Sequence, residues 1–170
     1  MLFRRKPKDE QSAATAGHAQ QNAGAAQAAL RDPFGLYHLW YLELRLQEEL
    51  ARASRVNGVL SLATWQLKLL PGESADDELI GRVGQLISQS LRPYDVPARL
   101  DADRFAGILL DADYEDATTV AFRIKGDLQL RVRRAGRWQA GVATFPQDGV
   151  DANALIQTAF RRLDSDSTAA

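Results

Sequence analysis

Leucines at helical spacing mark the first regular segment of the chain. Between residues 39 and 56, apolar residues recur every third or fourth position with charged residues between them, which predicts an amphipathic helix. Its apolar stripe consists of Leu39, Leu42, Leu46 and Leu50. Asn57 and Gly58 follow directly, and this pair is typical of a helix end because both residues tolerate the left-handed backbone conformation.

A strand and a second helix are predicted next. VLSLATWQLKLL is apolar at most positions, has the length of a strand and stops at a Pro-Gly pair, so it predicts a buried β-strand. SADDELIGRVGQLISQSL predicts a helix, with Ser74 as its N-cap and Asp77 completing a capping-box-like arrangement. The apolar stripe of this helix consists of Leu79, Val83, Leu86, Ile87 and Leu91.

Two strand hairpins are predicted in the second half of the chain. VPARL and RFAGILL are joined through residues 101–103, which is typical of a tight hairpin. LQLRVRR, residues 128–134, alternates apolar and polar side chains and is therefore predicted to be a strand. We expect it to form a hairpin with RWQAGVATF.

Helices are predicted between and after these hairpins. DYEDATTVAFRIKGDL is acidic at its start and basic toward its end, as the helix macrodipole favours. DGVDANALIQTAFRRLD predicts the last helix, with Asp151 as its N-cap. Three tryptophans in the predicted elements are expected to fill the core, namely Trp40, Trp65 and Trp138.

The predicted order of elements is α-β-α-β-β-α-β-β-α. Hairpins that alternate with helices favour an α+β fold, in which helices flank a mostly antiparallel sheet of about five strands. We expect residues 31–166 to form this domain. Residues 1–30 have a basic start and then an Ala/Gln-rich stretch without large apolar side chains, so we expect a mobile tail there. Residues 167–170 are expected to form a second, short tail.

Composition excludes several kinds of function. The 170 residues carry a formal net charge of −1, so no overall charge attracts the chain to nucleic acid or to an anionic membrane. The absence of cysteine excludes disulfides, thiol catalysis and cysteine-ligated metal, and it is typical of a reducing compartment. No apolar run is long enough to span a membrane. We therefore expect a cytoplasmic protein.

Two basic stretches leave alternatives open. The cluster at Arg4, Arg5, Lys6 and Lys8 either contacts a phosphate surface or a partner, or is a solvated terminus. The stretch RIKGDLQLRVRRAGR could form a nucleic-acid interface. Its alternation favours instead the solvated face of a half-buried strand.

Three stretches of the chain are similar to motifs that occur together in known proteins. DPFGLYHLWYLELRLQEELARA resembles an opening DxLTGLxNRRxF. RLDADRFAGILL occupies the position of a motif R-aromatic-GGDEF and of the apolar strand that follows this motif. AGVATFPQDGVDANALIQTAFRRL is similar to a closing SIGVA…P.DG segment. From about Arg31 to Leu163 the chain thus resembles the GGDEF domains of the diguanylate cyclase family. The resemblance implies a palm-like fold of the nucleotidyl cyclase type.

Diguanylate cyclases join two GTP molecules, and this chemistry needs metal-binding carboxylates and donors to the phosphates. The chain departs from the family at most of these positions, although Asp103 retains the carboxylate of the GGDEF turn. The departures are Gln66 and Lys68 in place of metal-binding aspartates, Asp101 and Ala102 in place of the paired glycines, Arg104 in place of the glutamate and Ser167 in place of the phosphate-binding lysine. The resemblance therefore implies a degenerate domain without catalytic residues or a bound metal.

A second nucleotide site of the family has counterparts in this chain. Arg92 and Asp95 form an RxxD motif, which VPARL separates from the turn, and Arg123 stands where the family completes this site. The resemblance implies that these three residues bind cyclic di-GMP. An arginine can donate two hydrogen bonds to guanine O6 and N7, and a carboxylate can accept from guanine N1–H and N2–H₂. The alternative is a surface Arg–Asp pair, which contributes little to stability.

The resemblance thus implies a catalytically inactive receptor that binds cyclic di-GMP through Arg92, Asp95 and Arg123. By analogy with the family, it would signal to a protein partner in motility, biofilm or polysaccharide control. A nucleotide-independent interaction module for scaffolding or dimerisation is the alternative, and an enzyme with residual cyclase or GTP-binding activity is the third hypothesis. No cofactor other than the dinucleotide ligand is expected, and a homodimer is compatible with the first two hypotheses.

Overall fold

A computed structural model describes residues 29–132 and 136–165 of the chain. Of the mobile tail expected at residues 1–30, only the last two residues are among these. The short tail expected at residues 167–170 lies outside the described residues.

Five strands and four helices form the described part. They are β1 (Tyr37–His38), α1 (Leu39–Val56), β2 (Leu60–Leu69), α2 (Asp77–Ser90), β3 (Val96–Arg99), β4 (Arg104–Leu110), α3 (Tyr114–Arg131), β5 (Gly136–Phe145) and α4 (Ala152–Ser165). None of the described helices has the length and apolar character needed to cross a membrane.

The strands form one sheet in the order β1-β3-β4-β2-β5. The pairs β3–β4, β4–β2 and β2–β5 are antiparallel, and the short β1 runs parallel to β3. In this register Gln66 lies opposite Arg104 at the end of the β2–β4 pair. The sheet and its flanking helices confirm the predicted α+β fold.

Each face of the sheet carries a layer of helices. One face packs against α2 and α3, and the other packs against α1 and α4. The largest buried side chains of the first layer are Trp65, Phe105 and Trp138. Those of the second layer include Leu42, Leu46, Leu62, Ile108 and Leu155. Successive side chains of β2 alternate between the two layers, as the pleat requires.

The ends of the helices follow local sequence signals. Asn57 ends α1 in a left-handed conformation with φ 50°, as predicted. Asp151 accepts a hydrogen bond from the Ala154 amide at 2.9 Å, which confirms its capping role. The prediction for α2 was wrong by two residues, because Asp76 rather than Ser74 accepts the hydrogen bond from the Leu79 amide.

Residues 128–132 differ from the prediction, and the rest of the predicted strand, residues 133–134, lies outside the described residues. Helix α3 continues to Arg131, so most of the predicted strand LQLRVRR is helical. Leu128 and Val132 are buried four residues apart, whereas Leu130 between them is 73% exposed. These buried positions continue the helical stripe of α3, so the local alternation was not a strand pattern. The fifth strand of the sheet is instead the two-residue β1.

One of the three tryptophans does not fill the core. Trp65 and Trp138 are buried, as expected, but Trp40 is 50% exposed near the start of α1. The buried stripe of α1 begins at Leu42, two positions further along. Trp40 therefore lies on a solvent-exposed face of α1.

Candidate functional site

The three residues predicted to bind a nucleotide line one cavity of 170 Å³. Arg92 and Asp95 belong to the loop between α2 and β3, and Arg123 lies on α3. Because α2 and α3 pack side by side on the same face of the sheet, residues far apart in sequence meet here. The complete lining is Ser90, Arg92, Asp95, Leu109, Ala112, Asp116, Val120 and Arg123.

Asp95 fixes the loop of the RxxD motif to the sheet. One carboxylate oxygen, Oδ2, accepts from the Arg92 amide at 2.9 Å, and Oδ1 accepts from the Leu110 amide at 3.2 Å. The side chain is nearly buried, and this burial raises the pKa of Asp95, while the two amide hydrogen bonds oppose the rise. Each oxygen still has a second lone pair. Asp95 can thus stabilise the loop and also accept a hydrogen bond from a ligand.

Arg123 is held at the end of the neighbouring helix. Its Nη2 donates to the carbonyl oxygen of Ser90 at 3.0 Å, where the last carbonyls of α2 lack helical partners. A cation is also favourable at this end of a helix. The guanidinium of Arg92 lies 6.0 Å from the ring centre of Tyr94, which is itself 55% exposed. The cavity therefore offers two guanidinium groups and an accessible aromatic ring nearby.

Asp116 also lines this cavity and was not predicted to do so. Its position in the first turn of α3 was explained by the helix dipole alone. It precedes Arg123 by seven residues, which is about two helical turns, so the two side chains share one face of α3. This spacing could have identified Asp116 from the sequence. The residue adds a second carboxylate to the two arginines and Asp95.

The turn at residues 101–103 satisfies its own polar groups. Asp101 Oδ2 accepts from Arg104 Nε at 2.6 Å, and Asp101 Oδ1 accepts from the Arg104 amide at 3.1 Å. Burial opposes ionisation of Asp101, but the hydrogen bonds from Arg104 prevail and lower its pKa. The Arg99 Nε group donates to the Asp101 carbonyl oxygen at 2.9 Å. These contacts explain how DADR closes the β3–β4 hairpin.

The side chains beside this turn are an amide, a carboxylate and a guanidinium, at Gln66, Asp103 and Arg104. Gln66 Nε2 donates to Asp103 Oδ2 at 3.1 Å, so the amide nitrogen occupies a position beside the carboxylate. Of the charged neighbours of Asp103, Arg104 is a cation and Asp101 is already paired with it. Magnesium prefers several oxygen ligands, usually carboxylates. Within residues 29–132 and 136–165, no group of three His, Cys, Asp or Glu side chains could hold a metal ion.

Solved structures show the same fold at low sequence identity. A sensory box/GGDEF family protein from Caulobacter crescentus matches with a TM-score of 0.71 and 22% identity, over 84% of this chain and all of that chain. The coiled coil and GGDEF domain of DgcB from the same organism, in complex with c-di-GMP, matches with a TM-score of 0.77 and 16% identity, over 94% and 91% of the two chains.

A third similar structure contains a partner protein. Diguanylate cyclase SiaD from Pseudomonas aeruginosa, in complex with its activator SiaC, matches with a TM-score of 0.73 and 23% identity. The match covers 94% of this chain and 68% of that chain. No curated protein sequence matches this one.

The family relationship follows from the sequence itself. Residues 34–167, which include all five strands of the sheet, match the family model described as "Diguanylate cyclase, GGDEF domain". This match covers most of the chain. The order of the strands and helices agrees with the fold of the GGDEF structures above. The chain therefore belongs to the GGDEF domain family.

Proposed function

We propose that the chain is a receptor that binds cyclic di-GMP and does not synthesise it. The observation that carries this proposal is the cavity between α2 and α3, around which Arg92, Asp95 and Arg123 lie together. The c-di-GMP complex of DgcB supports the choice of ligand, because that protein has the same fold.

The chemistry of the cavity suits a guanine nucleotide. Its guanidinium groups can bind guanine O6 and N7 or a phosphodiester, and a planar guanidinium can stack on a base. The carboxylates of Asp95 and Asp116 can accept from guanine N1–H and N2–H₂, which adenine does not present in the same pattern. A volume of 170 Å³ is below the ~300–1,000 Å³ typical of pockets for drug-sized ligands. We expect one base to enter the cavity, with the remainder of the dinucleotide on the adjoining surface.

The proposed loss of synthesis depends on the turn. The Arg104 guanidinium forms an ion pair with the Asp101 carboxylate, and the Gln66 side-chain amide donates a hydrogen bond to the Asp103 carboxylate. A nucleotide whose phosphates approached this turn would meet the side chains of Asp101 and Ala102 instead of a bare backbone. We therefore expect the turn to offer neither free carboxylate ligands nor the close backbone approach that phosphoryl transfer between two GTP molecules would need.

A specific observation favours the alternative of a nucleotide-independent interaction module. Both oxygens of Asp95 already accept backbone amides, so the RxxD motif has a structural role without any ligand. In that case the protein would bind partners through its surface and would not respond to cyclic di-GMP. The complex of SiaD with its activator SiaC shows a protein partner for a protein of this fold. We propose a protein partner under either hypothesis, and a cytoplasmic location because the chain lacks cysteine.

Titration calorimetry on single variants distinguishes the two functions. Arg92→Ala and Arg123→Ala should each weaken cyclic di-GMP binding by about tenfold or more, because each removes charged hydrogen bonds. Arg82→Ala is the matched control, since this exposed arginine on α2 pairs only with Glu78 among the contacts of the described chain. Equal binding by all three variants would contradict the proposed site, and a folded wild-type protein without saturable binding would favour the interaction module.

An assay of GTP turnover tests the loss of synthesis. Incubation of the protein with GTP and magnesium should produce no cyclic di-GMP. Product that disappears in the Asp103→Asn variant would show that the turn is still catalytic and would contradict the proposal.

A further inference from the structure

A second cavity, of 690 Å³, lies beside the hairpin turn. Its walls are the loop before β1, the start of α1 and residues 99–102, and it shares no lining residue with the RxxD cavity. The volume falls within the ~300–1,000 Å³ of typical ligand pockets. The proposed function does not use this cavity.

Large apolar side chains are exposed in this cavity. Trp40 is 50% exposed and Leu39 is 38% exposed, and Pro33 and Leu100 complete the apolar part of the lining. The Trp40 ring packs edge-to-face on Tyr41, with ring centres 5.7 Å apart. Because this contact supports the ring from one side, Trp40 presents a defined apolar surface. An apolar or cationic side chain would bury that surface.

The polar part of the lining carries more negative than positive charge. Asp32, Glu43 and Asp101 face one arginine, Arg99. Asp101 is paired with Arg104, but Glu43 has no ion pair among the contacts of the described residues.

Asp32 has an unused acceptor in the same lining. Its Oδ1 accepts the amides of Phe34 and Leu36 at 3.0 and 2.9 Å, whereas its Oδ2 is buried and accepts no hydrogen bond from the described part of the chain. A buried carboxylate oxygen without a donor is costly. A guanidinium or ammonium group that entered the cavity would pair with Glu43 and would be attracted by the negative charge of Asp32.

We propose that residues 2–8 of the same chain, LFRRKPK, bind in this cavity. This segment lies outside the described residues and combines two large apolar side chains, Leu2 and Phe3, with four cations. The cations complement Asp32 and Glu43, and the apolar side chains complement the exposed surface of Trp40. Residues 9–29 contain no large apolar side chain, so no other part of the tail offers the same chemistry.

The connection between this segment and the cavity is long enough. The described chain begins at residue 29, three positions before the cavity residue Asp32. The 20 residues that separate residue 8 from residue 29 can reach over at most about 70 Å, which exceeds the width of such a cavity. Tethering also raises the effective concentration of the segment to about the millimolar range, so weak contacts suffice for binding.

Nuclear magnetic resonance on the ¹⁵N-labelled full chain tests this proposal. Deletion of residues 2–8 should shift the indole N–H signal of Trp40 and the amide signals of Glu43 and Ala102. Deletion of residues 12–18, an uncharged segment of the same length, should leave these signals in place. A synthetic peptide of residues 1–10, added to the shortened protein, should restore the original positions.

Further variants give the outcomes that decide the proposal. Glu43→Gln should weaken binding of the peptide by up to about fivefold, as expected for the loss of one solvent-accessible ion pair. Identical spectra of the full and shortened chains would overturn the proposal. A shift of the Trp40 signal that depends on protein concentration would also overturn it, since a second copy would then supply the segment.

Discussion

At Gly141 the backbone of α4 approaches β5 so closely that no side chain fits between them. A Cβ atom at this position would lie 2.3 Å from the carbonyl oxygen of Ala159 and 3.1 Å from the Leu163 amide. These are backbone atoms of a packed helix, so the helix itself would have to move. Gly141 therefore sets the distance between the sheet and α4.

The first prediction compares two glycines. Gly141→Ala should lower the free energy of unfolding by about 1–3 kcal/mol or more, because overpacking displaces α4. Gly126→Ala should raise it by up to about 1 kcal/mol, because Gly126 is exposed inside α3 with no atom near its Cβ position. Urea denaturation measures both changes. A stable Gly141→Ala variant would contradict the close approach.

The second prediction concerns Asp148 and pH. Its carboxylate accepts from both terminal nitrogens of Arg162, at 2.7 and 2.8 Å, and from the Thr144 amide at 2.9 Å. Burial opposes ionisation of Asp148, but these hydrogen bonds prevail and lower its pKa in the folded state. The stabilisation is therefore present above the unfolded-state pKa of about 4 and is lost as the pH falls through the folded-state value.

Asp148→Asn should accordingly reduce the free energy of unfolding at pH 7 by about 2–3 kcal/mol. The difference between wild type and variant should shrink as the pH falls below about 4. Asp127→Asn, at the exposed pair with Arg131, should change stability little. Urea denaturation across this pH range tests the prediction, and a difference that does not depend on pH would refute the role of the charge.

At the scale of elements, the third prediction tests the end of α3. Leu128→Ala should cost about 2–5 kcal/mol, because the side chain is fully buried. Leu130→Ala should change stability by less than about 0.5 kcal/mol, because that side chain is 73% exposed. A strand would place both leucines on one face and give both variants the same cost. Equal losses in thermal denaturation would therefore contradict the helix.

The sequence was sufficient for elements with a long periodic pattern and insufficient for short ones. Helices α1, α2 and α4 and the β3–β4 hairpin were predicted because their apolar positions repeat over several turns or end at clear turn residues. Residues 128–132 fit two periods at once over so short a stretch, and only packing against the sheet selects the helical one. The two-residue β1 has no period, and its pairing with β3 depends on tertiary contacts.

At the scale of the whole molecule, the candidate site combines local and distant information. Arg92 and Asp95 lie close together in sequence, and the resemblance to the RxxD motif of the family, at the same spacing from the turn, identified them as candidates. The prediction of Arg123 also depended on the resemblance, because no local sequence signal indicates that α3 places this side chain beside Ser90. Asp116 was missed because an acidic residue in the first turn of a helix already has an explanation. The hydrogen bond of Asp95 to the Leu110 amide also could not be predicted, since Leu110 lies in β4, at a distance in sequence from the loop that holds Asp95.

The central claim is that the protein binds cyclic di-GMP at the cavity between α2 and α3. Isothermal titration of the wild-type protein with cyclic di-GMP tests this claim most directly, with GTP as the comparison ligand. We predict saturable binding of cyclic di-GMP with micromolar or tighter affinity, and weaker binding of GTP. A folded protein that gives no saturable heat with cyclic di-GMP would contradict the claim.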